Sequence, residues 1–360
     1  MRWTQAVRFT LFLALVVVPL GAAAAVELLP NGTEAFNPSK GDSMPIPFSM
    51  DVAGSVRITL YTGDGDAIRT LETETDSAGS YKVVWDGKDA SGAIVPNEAY
   101  IPVLQCVCDG GLVTVDPRAT SGGYPVEIGN VQLDPDGSIS YQVPEAARVL
   151  VRVGIKGGAL VRSLANWEPR TAGRHRQNWD GVDGAEQSLL NHPKLALMVR
   201  AFALPDYAIQ TYGNHQTSYR AYREQQDWAL PTADFSDVRL ERDGVRIARE
   251  SQLPISLLRN PQTLFKFDTE EMENGVPVVR GPITFRVDMA QGDKWVMQQS
   301  LYEVAFFLDY QFVSEEETGY TPLSWRWAGN AEPGLHTMTV NISGLWGQVG
   351  VGTVKFLVKE

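Results

Sequence analysis

Residues 46–71, "IPFSMDVAGSVRITLYTGDGDAIRTL", align without a gap on residues 139–164, "ISYQVPEAARVLVRVGIKGGALVRSL", at an offset of 93. Arg69 and Leu71 fall on Arg162 and Leu164. One inserted residue later the offset becomes 94, and "VWDGKDASG" (84–92) falls on "NWDGVDGAE" (178–186). Trp85, Asp86, Gly87 and Asp89 then match Trp179, Asp180, Gly181 and Asp183, and Gly79 matches Gly173. A repeat of this length is a whole domain rather than a solenoid unit. Whatever fold the first copy takes, the second must also satisfy.

The local pattern is β in both copies. In "SVRITLYT" the apolar Val56, Ile58 and Leu60 alternate with Arg57 and Thr59, the period of a half-buried strand. "GDGD" (63–66) reads as a turn and "AIRTL" resumes the strand, giving a hairpin. "SYKVVW" and "AYIPVLQCVC" are further strands, separated by the turn-rich "DGKDASG". Short strands with turn signals between them predict an all-β sandwich or barrel. From 283 onward "ITFRVDM", "YEVAFFLDYQFV", "LSWRW", "GLHTMTVNI" and "VGTVKFLV" are strand candidates of another β unit.

The first copy opens with Phe36, Asn37 and Pro38 in "FNPSKGD", its hairpin ends in "RTL", and its turn reads "WDGKDASG". In these features it resembles the FlgD immunoglobulin-like domain, found in a flagellar hook-capping protein and as a module of many secreted or surface bacterial proteins. The resemblance spans about 30–108 and, more loosely, 124–205. The second copy lacks "FNP" and has "GVDGAEQ" in place of "GKDASGA". "EPGLHTMTV", with the preceding "SWRW", is similar to the penultimate strand of bacterial Ig-like domains. The resemblance implies an all-β chain of tandem immunoglobulin-like β-sandwich domains in an envelope setting. The expected organisation is 26–110 and 124–205 as the related copies, 206–282 as a polar connecting region with a short helix, and 283–360 as a C-terminal Ig-like domain.

The N-terminus sets the expected compartment. Arg2 and Arg8 precede the apolar "FTLFLALVVVPLG", followed by Ala23, Ala24 and Ala25. This order is that of a secretory signal peptide, expected over 1–25, and the run is shorter than the ~20 residues a membrane span needs. A periplasmic, extracellular or cell-surface protein with no transmembrane segment in its mature chain is expected. The formal net charge is −12, and removal of the two leader arginines makes the rest more acidic. Nucleic-acid binding needs a basic footprint, so no nucleic-acid partner is expected.

The carboxylates of the repeated corner suggest a metal site at first sight. Calcium loops supply carboxylates at alternate positions, whereas here Lys88 or Val182 stands two residues after the first aspartate. A turn accounts for every residue: Trp ends a strand, Asp bonds its own backbone, and Gly accepts positive φ. Neither a metal nor another cofactor is expected. Cys106 and Cys108 are the chain's two cysteines. Two apart on a strand they face the same way, with Cα atoms about 6.6 Å apart, near the upper limit for a disulfide. A strained internal bond, a bond to a partner chain, a soft-metal pair and two ordinary buried thiols all remain open.

The four histidines show no ligand spacing, and HExxH, GxSxG and GxxxxGK are absent. The aromatic and arginine-rich segment 207–228 is the strongest partner-binding candidate. It holds Tyr207, Tyr212, Tyr219, Arg220, Tyr222, Arg223 and Trp228, residue types enriched at interface hot spots. The alternative is that these aromatics cover the seam between the second and third domains. The expected function is a non-enzymatic accessory or scaffold protein of the bacterial envelope, assembling with an envelope or extracellular protein. A carbohydrate- or surface-binding, adhesin-like role, using Trp325 and Trp327 as a stacking face, is the alternative. A hydrolase with an unrecognised carboxylate pair comes third.

Overall fold

A computed structural model describes residues 25–108, 111–232 and 238–360. The expected signal peptide therefore lies outside the described residues, apart from Ala25. The described chain forms three β-sandwiches.

In the first, the strands Val26–Leu28, Met44–Met50 and Gly79–Trp85 make one sheet. The opposing sheet is built on Gly54–Tyr61, flanked antiparallel by Ala67–Thr75 and Ala99–Cys108. The alternating apolar positions read from the sequence point inward: Val56, Ile58 and Leu60 meet Phe48, Trp85, Tyr100 and Leu104 in one core.

The second sandwich repeats this pairing. Ile139–Val143 pairs with Gly173–Gln177, as Met44–Met50 pairs with Gly79–Trp85. Ala147–Ile155 sits between Leu160–Arg170 and Leu195–Ala203, as Gly54–Tyr61 sits between its neighbours. Its core gathers Ile139, Tyr141, Val149, Val151, Val153 and Trp179.

The third sandwich begins earlier than residue 283. Thr263–Phe267, inside the segment expected to be a connection, pairs antiparallel with Ile283–Met289, which in turn pairs with Leu323–Trp327. The facing sheet runs through Val276–Val279, Val349–Val358, Gly334–Gly344, Tyr302–Leu308 and Gln311–Glu316. "YEVAFFLDYQFV" is not one strand but a tight hairpin. Asp309 and Tyr310 both take left-handed φ, 46° and 67°, the backbone of a twisted two-residue turn. Trp325 and Trp327 do not form an outward stacking face. Trp327 is buried in the third core, and Trp325 stacks on Phe306 at 4.4 Å between centroids. On the strand Leu323–Trp327 the polar alternates Ser324 and Arg326 face out, so the tryptophans must face in.

The segment after the second sandwich turns back to the first. Ile209–Thr211 inserts between Ala35–Phe36, in parallel, and Ala99–Cys108, antiparallel. The helix Tyr219–Gln225 follows, its first turn capped by Ser218 Oγ, which accepts from the Ala221 N–H at 3.2 Å. The segment thus packs on the first sandwich rather than on the seam between the second and third.

A separate apolar cluster fuses the modules. Leu150, Trp167 and Phe202 from the outer face of the second sandwich meet Leu253, Leu257 and Leu258 of the connecting chain and Val296 and Trp346 of the third. Arg148 of the second sandwich pairs with Glu98 of the first at 2.7 Å, both side chains buried.

Candidate functional site

The repeated corner is built alike in both copies. The indole N–H of Trp85 donates to the Lys88 carbonyl at 2.9 Å, and that of Trp179 to the Val182 carbonyl at the same distance. Asp86 Oδ1 accepts from the Lys88 N–H and Asp180 Oδ1 from the Val182 N–H, each at 3.2 Å. Asp89 Oδ1 accepts from the backbone of Ser91 (2.9 Å) and Ala93 (3.0 Å), and Asp183 Oδ1 from Ala185 (2.8 Å) and Gln187 (2.9 Å). The repeated arginine closes the corner from outside, Arg69 donating to the Asp89 carbonyl and Arg162 to that of Asp183. These carboxylates hold turns.

Gly87 shows why the first copy carries "FNP". At φ 71° a Cβ there would stand 2.3 Å from Pro38 Cβ and 3.1 Å from the Phe36 ring. The "FNP" opening and the Trp-Asp-Gly corner of the first copy therefore meet in one packing contact. In the second copy Leu190 fills that place against Gly181, at 2.4 Å from the same imagined Cβ.

The remaining oxygen of each second aspartate is reserved for a tyrosine from elsewhere in the chain. Tyr222, on the returning helix, donates to Asp89 Oδ2 at 2.8 Å, and Tyr310, in the third sandwich, to Asp183 Oδ2 at 2.7 Å. Burial pushes the Asp89 carboxyl up, but bonds from Ser91, Tyr222 and Ala93 outweigh it and hold it below the usual range. Burial and the adjoining carboxylate push both phenols up.

Asp64, in the "GDGD" turn, is likewise filled by protein donors. It accepts from the Tyr219 hydroxyl at 2.9 Å, from the Ser256 N–H at 2.8 Å and from the Arg223 guanidinium. Arg223 also donates to Ser256 Oγ and the Ala229 carbonyl. Arg220 reaches the third sandwich's buried Asp293 at 3.0 Å, which Arg259 contacts at the same distance. Among the described residues there is no group of three or more His, Cys, Asp or Glu side chains placed to hold a metal.

The aromatic segment is thus divided. Tyr222 and Arg223 are inside, 3% and 5% exposed. Tyr219, Arg220 and Trp228 are half-buried, and Trp228 meets the Tyr222 ring edge to face at 5.7 Å. Tyr207 and Tyr212 stand at the surface. Cys106 and Cys108 are joined in a buried disulfide, their Cα atoms 5.7 Å apart. Gly54 lies across the ladder from Cys108, and a Cβ there would come within 2.8 Å of Cys106 Sγ.

Sequence reasoning missed two adjoining clefts. One, of about 760 Å³, opens where the first two sandwiches meet the returning segment, and Asn97, Asn166, Arg170, Gln210, Tyr212 and Tyr219 line it. The second, about 940 Å³, continues past Tyr212 to Tyr207. Only the doubling-back of the chain creates them, and no local pattern signals that.

These features define a protein of tandem β-sandwich modules locked by shared side chains. Residues 37–101 match the family model of the FlgD Ig-like domain. Comparison with curated proteins finds no match. Among solved structures, FlgD from P. aeruginosa is 19% identical over 42% of this chain and 96% of its own, with a TM-score of 0.22. The fibronectin(III)-like modules of CbhA from Clostridium thermocellum are 11% identical over 93% of this chain and 94% of their own (TM-score 0.20). A bacterial ice-binding adhesin is 12% identical over 94% of this chain and 99% of its own (TM-score 0.20). Such TM-scores are too low to bear on function. Among the described residues no helix is long and apolar enough to cross a membrane.

Proposed function

We propose that this chain is an exported, non-enzymatic scaffold protein of the bacterial envelope that presents its surfaces to a protein partner. The observation that carries this reading is the internal locking of the three modules. Each Asp-Gly corner receives a tyrosine from another part of the chain, and an apolar cluster joins the second and third sandwiches. Modules fixed in this way hold a surface ready-made, so a partner need not supply the entropy of ordering them. The surface features available are the exposed Tyr207 and Tyr212 and the edge strand Gln311–Glu316, where Phe312 is exposed. An unpaired edge can accept a strand from a partner.

Cross-linking in the native envelope through a photoreactive residue at position 207 or 312, followed by mass spectrometry, tests the proposal. One reproducible partner is expected at either position. Recovery of no partner above the background of a residue placed on another exposed loop sinks it.

A further inference from the structure

We infer that the strand Gly111–Val115 is the site at which two copies of this chain associate, edge to edge. Association at this edge goes beyond the scaffold reading, which uses other surfaces, and stands or falls separately from it. The strand pairs antiparallel with Ala99–Cys108 over its whole length, from Leu104 with Val115 to Cys108 with Gly111, without a register shift. It pairs with no other described strand, so it is a sheet edge. Alternate residues of an antiparallel strand turn their N–H and C=O groups away from the neighbour they pair with. An edge leaves those groups open to a further strand.

The sequence of this edge, GLVTV, holds no charge and no proline. Among the described residues, every other edge strand longer than three residues carries a charge, except Gly129–Leu133. That one is broken, its register slipping between Gly129 and Gln132. Charges, prolines and bulges are the devices that keep sheet edges from pairing, and Gly111–Val115 has none of them. Val113 and Val115 turn inward and pack on the first core. Leu112 faces out, 65% exposed, and Val107, the residue it pairs with, is 59% exposed. Two apolar side chains thus lie side by side in water at the open edge. The disulfide ties together Cys106 and Cys108, which pair with Val113 and Gly111, so the strand behind the edge is fixed.

Charge selects a second copy as the occupant. The chain carries a net charge of −12, so two copies repel wherever their acidic surfaces meet. In an antiparallel pair about a twofold axis a strand meets itself, and like charges set opposite one another are destabilising. On the edge strand Gly173–Gln177 this sets Arg174 against Arg176. On Gln311–Glu316 it sets Glu315 against the apolar Phe312. On Gly111–Val115, with the axis at Val113, Leu112 faces Thr114 of the second copy and Gly111 faces Val115, with no charge in the register. Asp116, just beyond, is already paired with Arg118 at 2.7 Å. So short a strand pair makes a small interface, and a dissociation constant on the order of 10 µM is expected rather than a permanent dimer.

Sedimentation equilibrium of the purified mature chain, from about 1 to 300 µM, should show a monomer–dimer equilibrium. Thr114→Lys sets a charge against Leu112 on both sides of the axis and should weaken the dimer by about tenfold or more. Leu112→Glu should do the same. Both positions are exposed, so circular dichroism of each variant should match that of the unsubstituted chain. An equimolar mixture of the two variants should associate again, because the introduced lysine of one then faces the introduced glutamate of the other. Gln311→Lys, on the edge strand of the third sandwich, should leave the equilibrium unchanged. A monomer at every concentration overturns the inference and leaves the edge to a strand of another protein. A dimer indifferent to Thr114→Lys, one weakened equally by Gln311→Lys, or variants whose mixture stays monomeric would each overturn it as well.

Discussion

Tyr310, in the third sandwich, donates its hydroxyl to Asp183 Oδ2 in the second at 2.7 Å, and the carboxylate is fully buried. The first sandwich has the same socket at Asp89, filled by Tyr222. The repeated corner is thus both a turn within its module and a joint to the next piece of chain. Tyr310→Phe and Tyr222→Phe should each cost about 1.5–3 kcal/mol, the range for a hydrogen bond to a charged group. Urea denaturation of the single variants checks this. A cost near zero would mean that water enters the socket and replaces the hydroxyl.

Glu186 shows what the second copy lost. It occupies the position of Gly92, and both residues are left-handed, with φ 63° and 87°. An L-residue there carries a conformational cost of roughly 1–2 kcal/mol that glycine avoids. Glu186→Gly should therefore stabilise the protein, by up to about 1 kcal/mol after glycine's greater unfolded-state entropy is counted. Gly92→Glu should destabilise by a similar amount, since a Cβ at Gly92 meets nothing within 4 Å and only the backbone opposes it. Thermal unfolding of the pair decides it, and two shifts of the same sign would refute the account.

The two sandwiches of the repeat were legible because their signals are local. Alternation along Val56, Ile58 and Leu60 fixes which face goes inward, and Trp-Asp-Gly fixes where the strand ends. Tyr310 was hidden for the opposite reason. Asp309-Tyr310 lacks the glycine that announces a tight hairpin, so an apolar run across it reads as one strand. Gln210 was hidden more deeply. Nothing in "YAIQTYG" says that the chain returns to the first sandwich after completing the second, because that pairing is between residues more than a hundred apart. The cleft depends on the same return. The tryptophans of "SWRW" misled because strand alternation says that two residues share a face but not which face is buried.

Gly54 is where the disulfide meets its neighbour strand. A Cβ there would stand 2.8 Å from Cys106 Sγ and 2.9 Å from the Val107 carbonyl oxygen. One contact is a bridged sulfur and the other is backbone, so neither yields readily. Gly54→Ala should destabilise by about 1–3 kcal/mol, the usual penalty for an overpacked core. In the Cys106→Ser, Cys108→Ser background the bridge is gone and the sulfur atoms with it, so the same substitution should cost less. Denaturation midpoints of the four proteins test this, and equal penalties in both backgrounds would reject the contact as its cause.

His336 is set between two acceptors. Nδ1 faces Asp309 Oδ2 at 2.7 Å and Nε2 faces the Glu332 carbonyl at 2.8 Å. Partial burial lowers its pKa, but the bonds to Asp309 and Glu332 outweigh it and raise the net value, since only imidazolium can donate to both. A raised folded-state pKa gives stability that is complete below the unfolded value of about 6.5 and fades as pH rises through the folded one. Wild type should exceed His336→Gln in stability near pH 5.5, with the gap narrowing by pH 8.5. It should stay under about 1 kcal/mol because Asp309 is half exposed and screened by water. Asp89 acts at the other end of the scale. Its lowered carboxyl gives stability present above about pH 3.9 that is lost as pH falls further. Denaturation curves across this pH range test both signs.

The joint between the first and second sandwiches rests on a buried ion pair. Glu98 and Arg148 lie 2.7 Å apart with side chains 6% and 3% exposed. Each has a further tie: Glu98 accepts from the Ala99 N–H at 2.6 Å, and Arg148 donates to the Trp167 carbonyl at 3.1 Å. Removing one partner leaves the other charged in a dry site, at a cost of about 3–5 kcal/mol. Glu98→Gln and Arg148→Met should each fall in that range. The double variant removes both charges together, so it should cost clearly less than the two singles combined. A double-mutant cycle in urea measures the difference. Additive costs would show that the pair does not couple the two modules, and their mutual placement would then have to come from other contacts, such as the apolar packing of Ala99, Leu204 and Ala208 and the bond from the Ala172 N–H to Glu34.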